Sequence, residues 1–315
     1  MRILVVGAGA LGGYFGGRLL EAGKDVTFLL RERRLAQLQQ TGLVIRSSHG
    51  DVVLPAPPAV LAAELDTPFD VVIVGCKAYD LEATMDSFAP AVGPQTMVIP
   101  LLNGLRQLDI LAARFGAGKV LGGFCMISGA LGADGSVQHL NDSHTLSFGE
   151  RDGSLSPRVL AFQAVCAGAR FDAVASATIL QEMWEKWTFI AAAAGITCLL
   201  RGTVGDIVAS GNAGLATGLF EECAAIAARN GFANREAALA RSRKILTTAG
   251  SPMTASMLKD IERGGPVEAD HVVGDLLGRA GPGGEQRAPL LRVAYGHLKA
   301  YEARRTREAA AVPAT

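Results

Sequence analysis

The hydrophobic pattern of the chain changes period once, near residue 176. Up to that point, short continuous runs of branched apolar residues alternate with segments at helical spacing. Residues 2–6, 25–30, 69–74 and 96–99 read as buried parallel-type strands, and 13–21, 33–40 and 80–91 as helices between them. Residues 43–46 and 52–54 read as two short strands around Ser47 to Asp51, after which Pro55, Pro57 and Pro58 argue against regular structure. From 119 to 149 the pattern turns antiparallel, with 137–140 and 145–148 flanking a turn at Asn141 and Asp142. Ser156 followed by Pro157 reads as an N-cap with proline at the first helical position, starting a helix to about 168, and a last strand at 171–175 closes the region. Beyond it only helical spacing remains: 176–200, 203–209, 213–230, 235–248, 253–262, 268–279 and 289–305, separated by Gly/Pro breakers at Gly250, Gly264 and Gly281. The tail from Ala309 reads as disordered. The fold class expected is therefore α/β: a Rossmann-type doubly wound sheet over 1–175 and an all-helical domain over 176–315. The cleft between such domains is the natural catalytic site.

The first strand runs directly into Gly7-Ala8-Gly9-Ala10-Leu11-Gly12 and then a helix, with glycines at i, i+2 and i+5. Gly7 permits the turn, Gly9 lets a pyrophosphate approach the backbone, and Gly12 lets the helix pack on the strand. The free N–H groups at the helix start attract the anion. Such glycines alone are a weak signal; the strand before and the helix and second strand after them make it strong. A secretory signal is the rival reading, since Arg2 precedes a short apolar run, but six glycines between Gly7 and Gly17 would break its helix.

The end of the second strand selects the cofactor. An NAD site places Asp or Glu there for the ribose hydroxyl, whereas here stands Arg31, with Arg33 and Arg34 behind it. A guanidinium grips a 2′-phosphate, so NADP(H) is expected; against this, Glu32 is adjacent, and a short basic run is often only a solvated face. Lys77 and Asn103 stand at the carboxyl ends of later strands, where ligands gather.

At 315 residues with 30 basic and 30 acidic side chains, the chain fits two domains and gives no sign of a nucleic-acid or anionic-membrane partner. Its five cysteines are odd in number and lie mostly inside apolar runs without metal-ligand spacing, which suits reduced residues of a cytoplasmic protein and no metal. The longest apolar stretch, 187–200, is shorter than the roughly 20 residues that cross a bilayer. The five histidines have no ligand spacing and read as loop or helix-surface residues.

A nicotinamide enzyme that reduces a carbonyl also needs a proton donor, and Lys186 stands out at the start of an apolar helix face with Trp184, Trp187 and Phe189. Burial there would bring its pKa towards the working range. Spacing alone favours the plainer alternative, a surface pair with Glu182 one turn earlier.

Over nearly its whole length the chain resembles the ketopantoate reductase family. Gly7 to Gly12 looks like its nucleotide motif, 74–77 its strand-end lysine, 102–104 its Asn-Gly, 185–187 its catalytic lysine segment, and 255–261 its Ser-Met-Leu-x-Asp motif, with Glu268 at the family's spacing. The resemblance implies NADPH-dependent reduction of a 2-oxo acid, of the 2-dehydropantoate 2-reductase type in pantothenate biosynthesis. Lys186 would be the proton donor, Asn103 would lie by nicotinamide and substrate, Ser256 would bind the substrate carboxylate, and Lys77, Ser128 and Glu268 would contact the cofactor. The family's substrate-facing polar residues are replaced by Ile190, Ala194 and Val204, so a less hydroxylated keto acid or ketone is the second expectation. An NADPH-binding sensor without turnover is the third. The oligomeric state stays open, with a homodimer as one arrangement.

Overall fold

The computed structural model describes residues 1–311 and divides into two compact units. The first unit spans Met1–Leu102 and Gln107–Leu180; the second takes Asn103–Arg106 and the chain from Gln181 onward. The passage falls after Leu180, five residues past the boundary expected from the period change. Residues just beyond the last strand stay with the first unit because Ser176 N–H donates to Phe148 O at 2.8 Å.

In the first unit, β1 (Ile3–Val6), β2 (Val26–Leu29), β5 (Ala59–Val60), β6 (Val71–Val74) and β7 (Met97–Pro100) form an all-parallel sheet in the order β5-β2-β1-β6-β7. The order reverses beside β1, the geometry of a doubly wound dinucleotide sheet. Every residue of β1, β6 and β7 is buried, which is why those strands read as unbroken apolar runs. Helices α1 (Ala10–Glu21), α2 (Glu32–Thr41), α3 (Leu81–Phe88), α4 (Arg106–Phe115) and α5 (Pro157–Cys166) accompany it, and Ser156 caps α5 as expected by accepting from Val159 N–H. A second sheet is built on β9 (Val137–Gly149), which pairs parallel with β3 (Leu43–Arg46) and β10 (Asp172–Ala175) and antiparallel with β8 (Gly122–Leu131); β4 (Val52–Leu54) joins through β3.

The structure departs from the sequence pattern at three places here. Asn141 and Asp142 lie inside β9, and the reversal comes at 132–136, where Gly132 N–H donates to Ser136 O at 2.8 Å and Gly135 takes φ +82. The Asp134-Gly135 pair is the true hairpin signal. Pro55, Pro57 and Pro58 lie outside any strand, as expected, but the two residues after them form an unforeseen edge strand, β5, on which Phe28 and Leu30 donate to the Pro58 and Val60 carbonyls at 2.8 and 3.0 Å. Helix α4 is an element beyond those expected, although Leu108 and Leu111 mark its buried face at helical spacing, with buried Leu105 just before it.

The second unit is helical: α6 (Ile179–Leu200, begun in the first unit), α7 (Val204–Ala209), α8 (Ala213–Arg229), α9 (Glu236–Leu246), α10 (Ser256–Glu262), α11 (Asp275–Gly278), α12 (Gly284–Arg287) and α13 (Pro289–Ala311). The helix expected at 268–279 forms over nearly that span, but its first part is a π-helical turn, Asp270–Gly274, that runs into α11. Helix α13 continues through Ala309 to Ala311, so those three residues are ordered; the rest of the expected disordered tail lies outside the described residues. Among the described residues no helix is long and apolar enough to cross a membrane. None of the five cysteines forms a disulfide, and burial pushes the Cys166 and Cys198 thiols up to about 12.

Candidate active site

In the first unit the glycine turn has the geometry its sequence demands. Gly7 sits at φ +89, where any L side chain would be strained. A Cβ on Gly12 would overlap the Gly7 carbonyl oxygen, so glycine there is what lets α1 start flush against the turn. A Cβ on Gly9 would meet nothing within 4 Å, so the backbone at Gly9 faces open space. Gly9 is the N-cap of α1 and supplies no side-chain hydrogen bond to the helix start, which leaves the first turn without a built-in competitor for an anion. The residues present therefore fit a dinucleotide pyrophosphate: a bare backbone cradle at a twelve-residue helix's amino end.

Three elements converge on this turn. Gly75, after β6, packs its backbone on Gly12, with a hypothetical Cβ only 3.3 Å from Gly12 N, and carries the half-buried Lys77 two residues on. On β8, a bulge between Ile127 and Gly129 sets Gly129 against Ala10 and holds Ser128, whose backbone N–H is already donated to Asn141 Oδ1 at 2.8 Å. From α2 come two arginines in different settings. Arg31 is the N-cap residue of α2; its side chain is 75% exposed and pairs loosely with Asp80 at 3.5 Å. Arg34 reaches the turn itself: Nε donates to Ala8 O at 3.0 Å and Nη1 to Gln37 Oε1 at 2.6 Å. Burial holds its pKa below the usual arginine value, so a partly desolvated positive charge backs the glycine turn, bonded to two neutral acceptors. One helical turn separates the two arginines, which is why spacing from the strand end points to the first.

The second unit assembles a different node. Lys186 on α6 is half-buried and donates from Nζ to Asn103 Oδ1 at 3.1 Å. The segment carrying Asn103 is the short piece of chain that belongs to the second unit, so this contact lies within one compact body. On either side of Lys186 the helix is fastened. Glu185 is 5% exposed and accepts from Arg235 Nε and Nη2 at 2.7 Å each, from Arg235 N–H at 2.9 Å, and from Gln181. Burial pushes the Glu185 carboxyl up, but Arg235 pulls it further down, so it stays ionised. Trp187 is fully buried and donates Nε1–H to Val272 O at 2.8 Å, on the π-helical turn. Nothing in the sequence spacing indicates Arg235, because it lies 50 residues from Glu185.

Glu268 is half-buried just before the π-helical turn and raises the proton affinity of the nearby His271, although burial prevails and keeps that imidazole below its usual pKa. Ser256 is exposed at the first residue of α10. On the helix face expected to form an apolar lining, Phe189 and Ile190 keep partial exposure, whereas Ala191–Ala194 and Val204 are packed inside the unit.

Not all the histidines are the loop or surface residues expected. His139 and His271 are buried, and His49, His139 and His144 come together in the first unit with one ring nitrogen each within 4.8 Å of the others. Their ring planes lie only 15–23° apart and the His49 and His144 centroids are 3.8 Å apart. Imidazole lone pairs lie in the ring plane, so in this stack they run side by side rather than converging on one ion. Protein oxygens hold the rings instead: Tyr14 Oη at His144 Nδ1, Ser47 Oγ at His139 Nδ1, Ser143 O at His139 Nε2 and Asp142 O at His49 Nε2, each at 2.9 Å.

Comparison with known proteins agrees with both units. Residues 3–153 match the family model for ketopantoate reductase PanE/ApbA, and 178–302 the model for its C-terminal part. An uncharacterized oxidoreductase of Bacillus subtilis is 39% identical, with 96% of this chain and 99% of that protein covered. A 2-dehydropantoate 2-reductase of Mesorhizobium japonicum is 30% identical over 89% of this chain and 92% of its own. Among solved structures, 2-dehydropantoate 2-reductase from Methylococcus capsulatus superposes with TM-score 0.84 at 29% identity, covering 97% of this chain and 98% of that one. D-mandelate dehydrogenase with NADH and anilino(oxo)acetate has the same fold, with TM-score 0.84 at 20% identity over 97% and 100% of the two chains.

Proposed function

The chain belongs to the ketopantoate reductase family of oxidoreductases, and we propose that it reduces the carbonyl of a 2-oxo acid to the 2-hydroxy acid with NADPH. The observation that carries this reading is the 3.1 Å bond from Lys186 Nζ to Asn103 Oδ1, which aims an amine by means of an amide rather than losing it to solvent. NADPH, when bound, supplies the hydride to the carbonyl carbon. The Lys186 ammonium gives its proton to the carbonyl oxygen as charge develops there, with Asn103 Oδ1 holding the amine in one orientation. The Ser256 hydroxyl takes the substrate carboxylate, and Lys77, Asn103 and Glu268 steady the nicotinamide end. At the other end, Gly7 to Gly12 hold the pyrophosphate, and the arginines Arg31 and Arg34 select the 2′-phosphate; Arg34 Nε on Ala8 O supports that choice. Five cysteines without a disulfide suit a reducing, cytoplasmic setting.

Ketopantoate itself is one substrate reading. A second is favoured by the residues on the lysine helix and at the start of the next one: half-buried Ile190 and buried Ala194 on α6, and buried Val204 on α7, offer no side-chain donor to a substrate hydroxyl. A site built to bond a hydroxyl discriminates by several orders of magnitude, whereas an apolar one discriminates weakly. This points to a bulkier or less hydroxylated 2-oxo acid. NADPH oxidation measured with ketopantoate, 2-oxoisovalerate, pyruvate and phenylglyoxylate tests both readings. Fastest turnover of ketopantoate selects the first and of a hydroxyl-free acid the second. NADPH binding without turnover of any of them would overturn both in favour of a silent binding protein.

A further inference from the structure

We propose that His271, on the π-helical turn of the second unit, is a positioning residue that sets the distance between Asn103 and Lys186. The inference rests on the reading of Lys186 as proton donor, but its evidence is separate. Asn103 makes its bond to Lys186 from a bend, because Gly104 takes φ +84. That bend is moulded on His271: a Cβ at Gly104 would lie 3.0 Å from His271 O and 3.3 Å from the ring carbon Cδ2. The His271 ring is also hydrogen-bonded to the Asn103 backbone, and this bond raises its proton affinity, which is the effect of a carbonyl acceptor on a ring N–H donor. Asn103 and Gly104 are thus held by the backbone and the ring of a single residue.

The same turn reaches the other partner. Val272, the next residue, accepts Trp187 Nε1–H at 2.8 Å, and Trp187 follows Lys186 on α6. A π-helical turn carries one residue more than an α-turn and shifts the phase of the helix after it, and such turns recur at functional sites. Here the widened turn, Asp270–Gly274, lets consecutive residues face α6 and the Asn103 bend at once. Its own position is fixed from α13, where Tyr295 Oη and Lys299 Nζ donate to Asp270 Oδ1 and Oδ2 at 2.6 and 3.0 Å. The Lys186 and Asn103 pair is therefore spanned by a brace with one end on each residue's neighbour.

Two variants separate the donor from the bulk it fills. His271→Phe keeps an apolar ring and loses the N–H, while His271→Gln keeps a donor. In the full-length protein His271→Phe lowers kcat between about tenfold and a hundredfold, the cost of misplacing a reacting group by a fraction of an ångström to an ångström. Under the same conditions the NADPH Kd moves less than twofold, and His271→Gln recovers most of the rate. A second readout does not need turnover: the pH dependence of Lys186 acylation, followed by peptide mass spectrometry. Loss of the Asn103 acceptor removes a bond to the ammonium form, so the Lys186 midpoint falls in His271→Phe and is retained in His271→Gln. If neither kcat nor the midpoint changes in folded His271→Phe, or if both variants behave alike, the positioning role is overturned. If wild-type protein turns over no 2-oxo acid yet the midpoint shifts, the reductase reading fails and the brace stands. Should His271→Phe not fold, Trp187→Phe cuts the brace at its other end, with the same fall in midpoint expected and an unchanged one decisive against it.

Discussion

The glycine turn of the first unit and the lysine node of the second are built by opposite means. The turn is made by neighbours in sequence: Gly7, Gly9 and Gly12 act through what they lack, and each is placed by the strand before it and the helix after it. The node is made by residues that meet only on folding, with Asn103, Lys186, Arg235 and His271 drawn from four separate stretches and acting through side chains. A backbone cradle tolerates change in everything except its glycines. A side-chain node depends on each of several supports, so its function is more exposed to distant substitution.

The largest effect is expected at the node. Lys186→Ala lowers kcat by about two to four orders of magnitude, the range for a lost general acid, while the NADPH Kd measured by fluorescence stays near wild type. A parallel loss of NADPH affinity would show that turn and node are not separate devices. Breaking the turn gives the converse pattern. Gly12→Val drives side-chain atoms into the Gly7 carbonyl, and overpacking of that kind costs about 1–3 kcal/mol, so NADPH affinity falls by roughly one to two orders of magnitude. Unchanged affinity in that variant would remove the cradle from its role.

A finer cut separates the two arginines. Arg34→Gln raises KM for NADPH about tenfold with little change for NADH, the scale of one hydrogen bond to a charged group, and exceeds the effect of Arg31→Gln because Arg31 is largely in solvent. Equal losses for both cofactors would mean that Arg34 only braces the turn. The smallest effect belongs to the histidine stack. Burial and then the neighbouring His49 hold His144 below its ordinary value of 6.5, with Asp172 opposing and His139 and Arg18 adding to the depression. The folded chain therefore binds fewer protons than the unfolded one at mildly acid pH. The stack contributes its full stability above about pH 6.5 and loses it as pH falls through the depressed value. Thermal unfolding at pH 7.5 and 5.5 should show a drop in Tm that shrinks in His144→Asn; since about 1 kcal/mol moves Tm by only 2–4 °C in a chain of a few hundred residues, the difference is of that order or less.

The same contrast explains how much of the molecule is legible in its residues alone. The parallel strands, the turn and the helical second unit announce themselves through local period and glycine spacing, because the forces that make them act between near neighbours. Lys186 stands out only through its apolar surroundings and the family likeness, and spacing leaves its partner open between Glu182 and a buried role. The Asn103 contact that favours the second is 83 residues away in sequence. The Arg34 bond to the Ala8 carbonyl, the Arg235 clamp on Glu185 and the stacking of His49 with His144 are hidden for one reason: no local period encodes which side chains a fold brings together. The hairpin at Asp134-Gly135 is the exception, since its signal is local and strong and only the competing polar pair at Asn141-Asp142 obscures it.

Four residues, Asn103–Arg106, leave the first unit to join the second and then hand the chain back. No single scission can consequently split this protein into two self-sufficient halves. A fragment ending at Leu180 would carry away Asn103, and its complement would hold the Lys186 amine without the amide oxygen to which it donates. Evolution or engineering that exchanges one unit for a homologue's must therefore transplant that tetrapeptide with the helices, not with the sheet.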